Sequence, residues 1–296
     1  MGRTLLVGHS GSTWRERLKD STRDWVCLDP RDADHGPPGR VFWLSGGKVK
    51  SWRLIGSVDV SRNPVGYVSA AFDLLGKAPG DSVVSLFPVR QTPLYKQLAL
   101  EIAQIVSPEE IIVPTGSGLF ELGWPVGAAE QDSDPGFPQL VLEAQRRARW
   151  LEMFENSVEH EVDLRNVSVL GSRLGSGQTV SIKGWLGWAE LTGNVLHLVG
   201  DQDPTENEVS AMLDLVHANR LSLVSPKAYQ GLLCSFSSQT GEDFGIGTIE
   251  EFLPERGLLR ILCTAVAPAP VRILRLGTLK LDKSGREVID VKPWSL

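Results

Sequence analysis

Apolar runs and helical patterns alternate along the first half of the chain. Runs that are apolar throughout are typical of strands buried on both faces, as in a parallel sheet. This order predicts an α/β domain in which helices cover both faces of the sheet. The predicted strands are Thr4–Val7, Trp25–Leu28, Val41–Leu44, Ser82–Phe87 and Ile111–Val113, and the predicted helices are Trp14–Asp20, Val65–Leu75, Pro93–Val106 and Gln139–Asn156.

The pattern changes near residue 160, where short strand-like runs separated by turns take over. The acidic segment Glu130–Pro138 is predicted to be a loop, and Glu206–Asn219 is predicted to be a helix. We therefore expect an α/β domain over residues 1–160 and a mostly β domain over residues 161–296. The strands predicted for the second domain are Val162–Leu170, Gly184–Trp188, Val195–Val199, Leu221–Val224, Gly231–Phe236, Phe244–Phe252, Leu258–Cys263, Val271–Leu281 and Glu287–Val291.

Composition narrows the class of protein. Hydrophobic residues make up 42% and charged residues 22% of the 296 residues, which is typical of a globular chain. No apolar stretch is long enough to span a bilayer or to act as a signal peptide, so we expect a cytoplasmic protein without membrane contact. The net charge of −6 argues against a general nucleic-acid coat, although an enzyme could still hold one nucleic-acid end in a locally basic cleft. The three cysteines and five histidines show no metal-ligand spacing.

The loop after the first predicted strand is a candidate phosphate-binding loop. Its order of strand, glycine-bearing loop and helix places backbone N–H groups where phosphate binds. The P-loop pattern G-x-x-x-x-G-K-[ST] is not matched, because only two residues separate Gly8 from Gly11 and Ser12 stands in the place of lysine. A tight turn without a ligand is one alternative. A nucleophile elbow around Ser10 is another, although Ser12 replaces its second glycine.

The segments that follow resemble the polynucleotide 5′-hydroxyl kinase family. That family includes the RNA kinases of archaea and the eukaryotic kinases of pre-mRNA cleavage and ribosomal RNA processing. Cys27–Pro30 and His35–Gly39 resemble its D-x-D-P-G-Q…P-P-G stretch. The remaining similar segments keep the family's order over nearly the whole chain. They are Leu54–Ser57 with Asn63–Gly66 (G-S-x-S-P-x-G-H), Arg146–Phe154 (the Arg-rich lid helix), and Val162–Val169, Gly231–Leu233, Phe244–Ile249 and Val271–Glu287 (strands of the C-terminal domain).

This resemblance implies a P-loop kinase fold, ATP and Mg²⁺ as cofactors, and roles for particular residues. Asp29 would activate the 5′-hydroxyl or hold the metal through water, whereas Cys27 stands in the place of the motif's first acid. Thr13 would be the Mg²⁺ ligand. The phosphate loop would comprise Gly8, His9, Ser10, Gly11, Ser12 and Thr13.

Further roles implied by the resemblance concern the lid helix and the substrate. Arg146 and Arg149 would stabilise transition-state charge, and Arg147 and Thr92 would contact the substrate. Thr92 is a remnant of the T-x-G-W clamp, and no tryptophan follows it. The structural alternatives stay open: an N-cap for Thr13, a strand-end turn for Asp29 and a solvated helix face for the arginines.

Two functions compete. The first is an atypical kinase that phosphorylates RNA or DNA 5′-hydroxyl ends with ATP. The second is an inactive pseudokinase that keeps the scaffold to bind nucleic acid or protein partners in RNA processing. The missing lysine, the lost first acid and the weakened clamp favour the second. The surviving Thr13, Asp29 and Arg-rich helix favour the first, in which Arg15 or Arg17 could replace the lysine. A hydrolase using Ser10 is a third alternative.

Overall fold

A mixed seven-stranded sheet forms the centre of the first of two units, residues 1–150 and 151–296. The computed structural model describes residues 2–8, 23–125, 129–132, 138–264, 271–291 and 296. The sheet has the order β4-β3-β2-β5-β1-β6-β7, in which β2, β5, β1, β6 and β7 are parallel and the hairpin β3–β4 is antiparallel. Its strands are β1 (Thr4–Val7), β2 (Trp25–Leu28), β3 (Arg40–Ser45), β4 (Lys48–Leu54), β5 (Val83–Leu86), β6 (Glu110–Pro114) and β7 (Ala129–Asp132).

This sheet confirms the predicted α/β fold class and corrects one segment. The prediction of a loop over Glu130–Pro138 is wrong for its first residues, because Ala129–Asp132 pairs in parallel with β6. The strand is polar and lies at the sheet edge, where backbone pairing needs no apolar side chain. Strand β4 was not predicted either. Its sequence KVKSWRL has no apolar run, and only its last residue, Leu54, is buried, so burial gave no signal for a strand.

Two helices pack on one face of this sheet. They are α1 (Pro64–Lys77) and α2 (Pro93–Val106), and each begins with proline in its first turn, where a missing N–H costs nothing. The Asn63 side chain accepts a hydrogen bond from Gly66 N and caps α1. The opposite face buries Leu6, Val83 and Ile112. The helix predicted over Trp14–Asp20 lies outside the described residues.

The chain order fixes the edge of the sheet at which a ligand would bind. From β1 the chain continues to β2 on one side, whereas from β6 it continues to β7 on the other. This reversal makes the carboxyl end of β1 a topological switch point, where open α/β sheets hold their ligands. The loops that follow β2, β5 and β6 reach the same edge.

The second unit is built mainly from two sheets. One has the order β10-β11-β12-β13, and the other has the order β18-β17-β14-β15-β16-β8 with β9 paired to β17. The helices are α3 (Gln139–Glu155), which crosses the division between the units, and α4 (Glu206–Leu215). The strands are β8 (Val158–Asp163), β9 (Ser168–Leu170), β10 (Gln178–Thr179), β11 (Trp188–Thr192), β12 (Val195–Val199), β13 (Arg220–Val224), β14 (Leu232–Ser237), β15 (Asp243–Leu253), β16 (Leu258–Cys263), β17 (Ile273–Leu281) and β18 (Glu287–Asp290).

Two predicted strands of this unit are wrong in extent. The run Val162–Leu170 is divided into β8 and β9, because Asp163 accepts a hydrogen bond from Arg165 N and turns the chain. The strand predicted over Gly184–Trp188 begins only at Trp188, after a turn in which Trp185 N donates to Ile182 O. Gly184 has a φ of +86° in that turn, which an extended strand does not accommodate.

The predicted helix Glu206–Asn219 ends early, at Leu215. His217 adopts a left-handed conformation with φ of 54°, and Ala218 N donates to Leu213 O. Such a residue terminates a helix because it redirects the following N–H groups toward the last carbonyls. Among the described residues, no helix is long and apolar enough to cross a membrane.

Candidate functional site

The predicted phosphate loop begins at Gly8, directly after the central strand. Gly8 N donates to Leu86 O over 3.0 Å, and its φ is +72°. A Cβ at this position would lie 3.3 Å from Pro88 Cα, so both the conformation and the close approach favour glycine. His9, Ser10, Gly11, Ser12 and Thr13 lie outside the described residues, as do Arg15 and Arg17. Their roles stay predictions.

Asp29 follows β2 at the same edge and is paired with Arg31. Asp29 is 6% exposed, and its Oδ1 accepts from Arg31 N and Arg31 Nε, each over 3.0 Å. Its Oδ2 accepts from Arg31 Nη2 over 2.8 Å. Three of about four acceptor positions of a carboxylate are therefore occupied by one residue. Burial lowers the pKa of Arg31, but the charge and hydrogen bonds of Asp29 outweigh it and raise that pKa.

Cys27 stands where the family motif has its first acid, and its side chain is fully buried on the sheet. Its Sγ lies 3.7 Å from Asp29 O as a weak donor. Burial raises the pKa of the Cys27 thiol well above its usual value, and the charges of Asp32 and Asp29 raise it further. The residue therefore stays a neutral thiol near pH 7, and it supplies neither a carboxylate nor a thiolate.

A second carboxylate–arginine pair lies at the same edge. Asp59 accepts from Tyr95 OH over 2.6 Å, and its Oδ2 lies 3.6 Å from Arg90 Nη1. The Arg90 guanidinium lies over the Tyr95 ring, 5.3 Å from its centroid. Burial alone would raise the pKa of Asp59. Hydrogen bonds from Ser61 and Tyr95, together with the charge of Arg90, outweigh burial and lower that pKa, so Asp59 is ionised at neutral pH.

The segment that resembles the substrate clamp leads into α2. Thr92 is exposed and occupies the N-cap position of α2, but its side chain makes no capping hydrogen bond. Its role as a substrate contact stays a prediction. The neighbouring Gln91 donates to Ser117 O over 2.6 Å, within the turn Pro114–Gly118 that follows β6.

The Arg-rich helix α3 places its three predicted arginines differently. Arg146 is 7% exposed, whereas Arg147 is exposed. Arg149 is partly buried and donates from Nε to Ala33 O over 2.7 Å and from Nη2 to Asp34 O over 3.1 Å. The separation of Arg147 from the other two agrees with helical spacing. Arg149 thus holds the loop after β2.

We expect Arg149→Ala to loosen the loop that contains Asp29. Removing two charge-assisted hydrogen bonds should make local opening about tenfold more frequent. Hydrogen–deuterium exchange of peptides covering residues 29–39, followed by mass spectrometry, measures this opening. Arg147→Ala, on the exposed side of the same helix, is the matched control and should leave exchange unchanged. Equal exchange in wild type and Arg149→Ala would contradict the assigned contact.

Sequence reasoning missed four residues of this edge: Arg31, Asp59, Arg90 and Tyr95. A signal was present for Arg31, which occupies the glycine position of the D-x-D-P-G-Q motif. Asp59 lies between the two stretches that resemble G-S-x-S-P-x-G-H, Leu54–Ser57 and Asn63–Gly66, and no spacing marked it. The sequence pattern indicates only a core position for Tyr95, and its ring does pack against Phe87, with the ring centroids 5.6 Å apart. The pattern gives no sign that its hydroxyl donates to Asp59.

The described residues fit a divalent metal poorly. Mg²⁺ favours carboxylate oxygens with unpaired charge, but both oxygens of Asp29 accept from Arg31 and Cys27 is a neutral thiol. Among residues 2–8, 23–125 and the other described ranges, no group of three His, Cys, Asp or Glu side chains could hold a metal ion. Thr13, the predicted ligand, lies outside them.

Comparison with known proteins shows the fold. No family model matches the sequence, and no curated protein matches it. Two solved structures match 94% of this chain and 74% of their own, with identities of 14% and 12% and TM-scores of 0.56 and 0.55. One concerns the extended interface between Pcf11p and Clp1p and ATP loss in a point mutant, and the other is a wild-type Clp1p–Pcf11p complex. This similarity shows that the chain shares the fold of these structures, and it agrees with the family resemblance of the sequence.

Proposed function

We propose that this chain is a catalytically inactive member of the polynucleotide 5′-hydroxyl kinase family. In this proposal it uses the kinase scaffold to bind a nucleic-acid end or a protein partner in RNA processing. The observation that supports this most is the pairing of Asp29 with Arg31. Asp29 matches the acid that would activate the attacking hydroxyl, and its carboxylate is buried and occupied.

The Asp29–Arg31 pair weakens the chemistry in two ways. A general base must come within hydrogen-bond reach of the attacking hydroxyl. Here the hydroxyl would compete with the two charge-assisted hydrogen bonds that the Arg31 guanidinium donates to the carboxylate, and Asp29 is only 6% exposed. A metal would need the same oxygens. The neutral Cys27 thiol offers no second carboxylate, and Ser12 replaces the lysine that phosphoryl transfer uses.

The fold of the two Clp1p–Pcf11p structures supports the partner part of the proposal. Those structures are complexes with a protein partner, and one of them concerns ATP loss in a point mutant. A chain with this fold can therefore bind a protein partner. We accordingly infer a protein partner in RNA processing.

An active kinase is the second candidate. Gly8, with its positive φ, lies at the carboxyl end of the central strand and at the topological switch point, where a phosphate loop belongs. Thr92 is exposed at the N-terminus of α2, the helix that follows β5. In this alternative, a cation outside the described residues replaces the lysine.

Phosphoryl transfer separates the two candidates. We expect no transfer of ³²P from γ-labelled ATP to RNA or DNA oligonucleotides with 5′-hydroxyl ends. The assay contains Mg²⁺, and a parallel reaction with an active polynucleotide kinase controls for substrate quality. The same oligonucleotides should still bind the chain in a filter-binding assay. Transfer above the level without protein would overturn the pseudokinase proposal and establish the active kinase.

A further inference from the structure

Two arginines lie at the ends of neighbouring parallel strands, beside the predicted phosphate loop. Leu28 of β2 and Leu86 of β5 are register partners, and Arg31 and Arg90 follow these strands within a few residues. Adjacent strands are about 4.8 Å apart, so both loops leave the sheet at one place. Carboxyl ends of parallel strands are where open α/β sheets bind their ligands.

We propose that Arg31 and Arg90 form a binding site for a terminal phosphate group that needs no metal ion. The proposal rests on the proposed function, because it names the ligand chemistry of that inactive site. The ligand is a terminal phosphate group. Its two sources are the 5′-phosphate monoester of a nucleic-acid end and the terminal phosphate of a nucleotide.

Arg31 is held in place by its own carboxylate. The Nε and Nη2 groups donate to Asp29, and Nη1 makes no hydrogen bond to any residue within the described ranges. The side chain is 25% exposed, so the guanidinium is partly desolvated and oriented before a ligand arrives. Less side-chain entropy is then lost on binding, which favours an arginine fork over a mobile cation.

Arg90 is the more accessible of the two cations. Its side chain is 68% exposed, its Nη1 lies 3.6 Å from Asp59 Oδ2, and its guanidinium stacks over Tyr95. The distance to Asp59 is an ion pair rather than a hydrogen bond, so the N–H donors of Arg90 stay available to an anion. The Tyr95 ring lies against the Arg90 guanidinium, and the Tyr95 hydroxyl donates a hydrogen bond to Asp59.

The charge pattern explains why a phosphate would bind without a metal. Asp29 and Asp59 each pair with one guanidinium group and hold it in place, and both arginines keep N–H donors outside these pairs. A phosphate monoester carries up to two negative charges and several acceptor oxygens, which planar guanidinium groups match in pairs. A divalent cation would have to separate Asp29 from Arg31 first. The arginines thus replace the metal as the source of positive charge.

The control for this site is present in the same chain. Asp163 and Arg165 of the second unit make the same local arrangement, with Arg165 N and Nε on Oδ1 and Nη2 on Oδ2. The same Asp-x-Arg spacing thus gives the same hydrogen bonds at a second place in the chain. Arg165 is 61% exposed and lies outside the edge that holds Arg31 and Arg90, so it serves as the comparison.

Isothermal titration of the full chain tests the proposal. The ligands are a 5′-phosphorylated dinucleotide, its 5′-hydroxyl counterpart and ATP, each in EDTA and in Mg²⁺. We expect the phosphorylated dinucleotide or ATP to bind in EDTA, with a Kd that Mg²⁺ changes less than about twofold. Arg90→Ala and Arg31→Lys should each weaken binding roughly tenfold, because each removes guanidinium hydrogen bonds to the anion. Arg165→Ala should leave the Kd unchanged.

The outcomes distinguish this site from the function proposed above. Binding that requires Mg²⁺, or that survives both arginine substitutions, overturns the arginine site and leaves the absence of phosphoryl transfer unaffected. Absence of binding by both phosphorylated ligands also overturns it. Preference for the 5′-phosphorylated dinucleotide over ATP assigns the site to nucleic-acid ends, and the reverse assigns it to nucleotides. Arg90 is on the surface, so its substitution tests the proposal even if Arg31→Lys alters folding.

Discussion

Replacing Glu190 by leucine is expected to lower the free energy of unfolding of the second unit by about 3–6 kcal/mol, because it leaves buried donors without an acceptor. Glu190 is 1% exposed on β11. Its carboxylate accepts from Trp188 Nε1, from Gly175 N and from Gly177 N. The backbone N–H groups of the loop after β9 thus bind the carboxylate of Glu190, in the way that successive backbone N–H groups bind an anionic ligand in other proteins.

Burial is the main cause that raises the pKa of Glu190, against the opposing hydrogen bonds from Trp188 and the glycines. Glu190→Gln keeps one acceptor oxygen and should lose less stability than Glu190→Leu. Urea denaturation followed by tryptophan fluorescence measures both. Glu255→Leu, in the exposed turn between β15 and β16, is the control. A loss below about 1 kcal/mol for Glu190→Leu would mean that the loop donors find water instead.

The parts of the fold that could be predicted from sequence are those in which burial decides the structure. The runs Thr4–Val7 and Trp25–Leu28 are buried at every position, so their apolar patterns marked them without ambiguity. The polar strand Ala129–Asp132 gave no such signal. It exists because its backbone pairs with the edge of β6, and that contact is set by the tertiary structure rather than by local composition.

The candidate site was predictable only in part, for a similar reason. The motif located Asp29 at a strand end, but the state of its carboxylate depends on Arg31, a residue of the same turn. An Asp-x-Arg spacing is sufficient for this pairing, since Asp163 and Arg165 repeat it. Asp59, Arg90 and Tyr95 come from three separate elements, and no sequence spacing joins them. Only the order of the strands brings them to one edge.

Acid is expected to destabilise the second unit through His197, which is buried without a charged partner. His197 is fully buried on β12, with Nδ1 3.1 Å from Ser222 Oγ and Nε2 3.2 Å from Tyr229 OH. Burial, and then the charge of Arg173, lower its pKa to about 4, while a hydrogen bond to Ser222 opposes them. The neutral ring is therefore the form that the fold accommodates.

The sign of the pH effect follows from this lowered pKa. In the unfolded chain His197 binds a proton near pH 6.5, whereas in the folded chain it does so only near pH 4. The stability that the neutral His197 ring contributes is therefore complete above pH 6.5 and is lost as the pH falls toward 4. The loss at pH 4 amounts to about 3 kcal/mol. Glu190, whose pKa is raised, acts in the opposite direction, because its protonation favours the folded state as the pH falls.

Two histidine variants test whether His197 causes the loss of stability in acid. Urea denaturation at pH 7 and pH 4 should show a loss of stability in wild type that is about 3 kcal/mol larger than in His197→Gln, which keeps a hydrogen-bonding side chain but cannot titrate. His217→Asn changes an exposed histidine at a positive φ that asparagine tolerates, so it should retain the wild-type pH dependence. An identical loss in wild type and His197→Gln would show that His197 gains solvent or a counter-charge as it protonates, and that the acid sensitivity of this unit arises from its carboxylates.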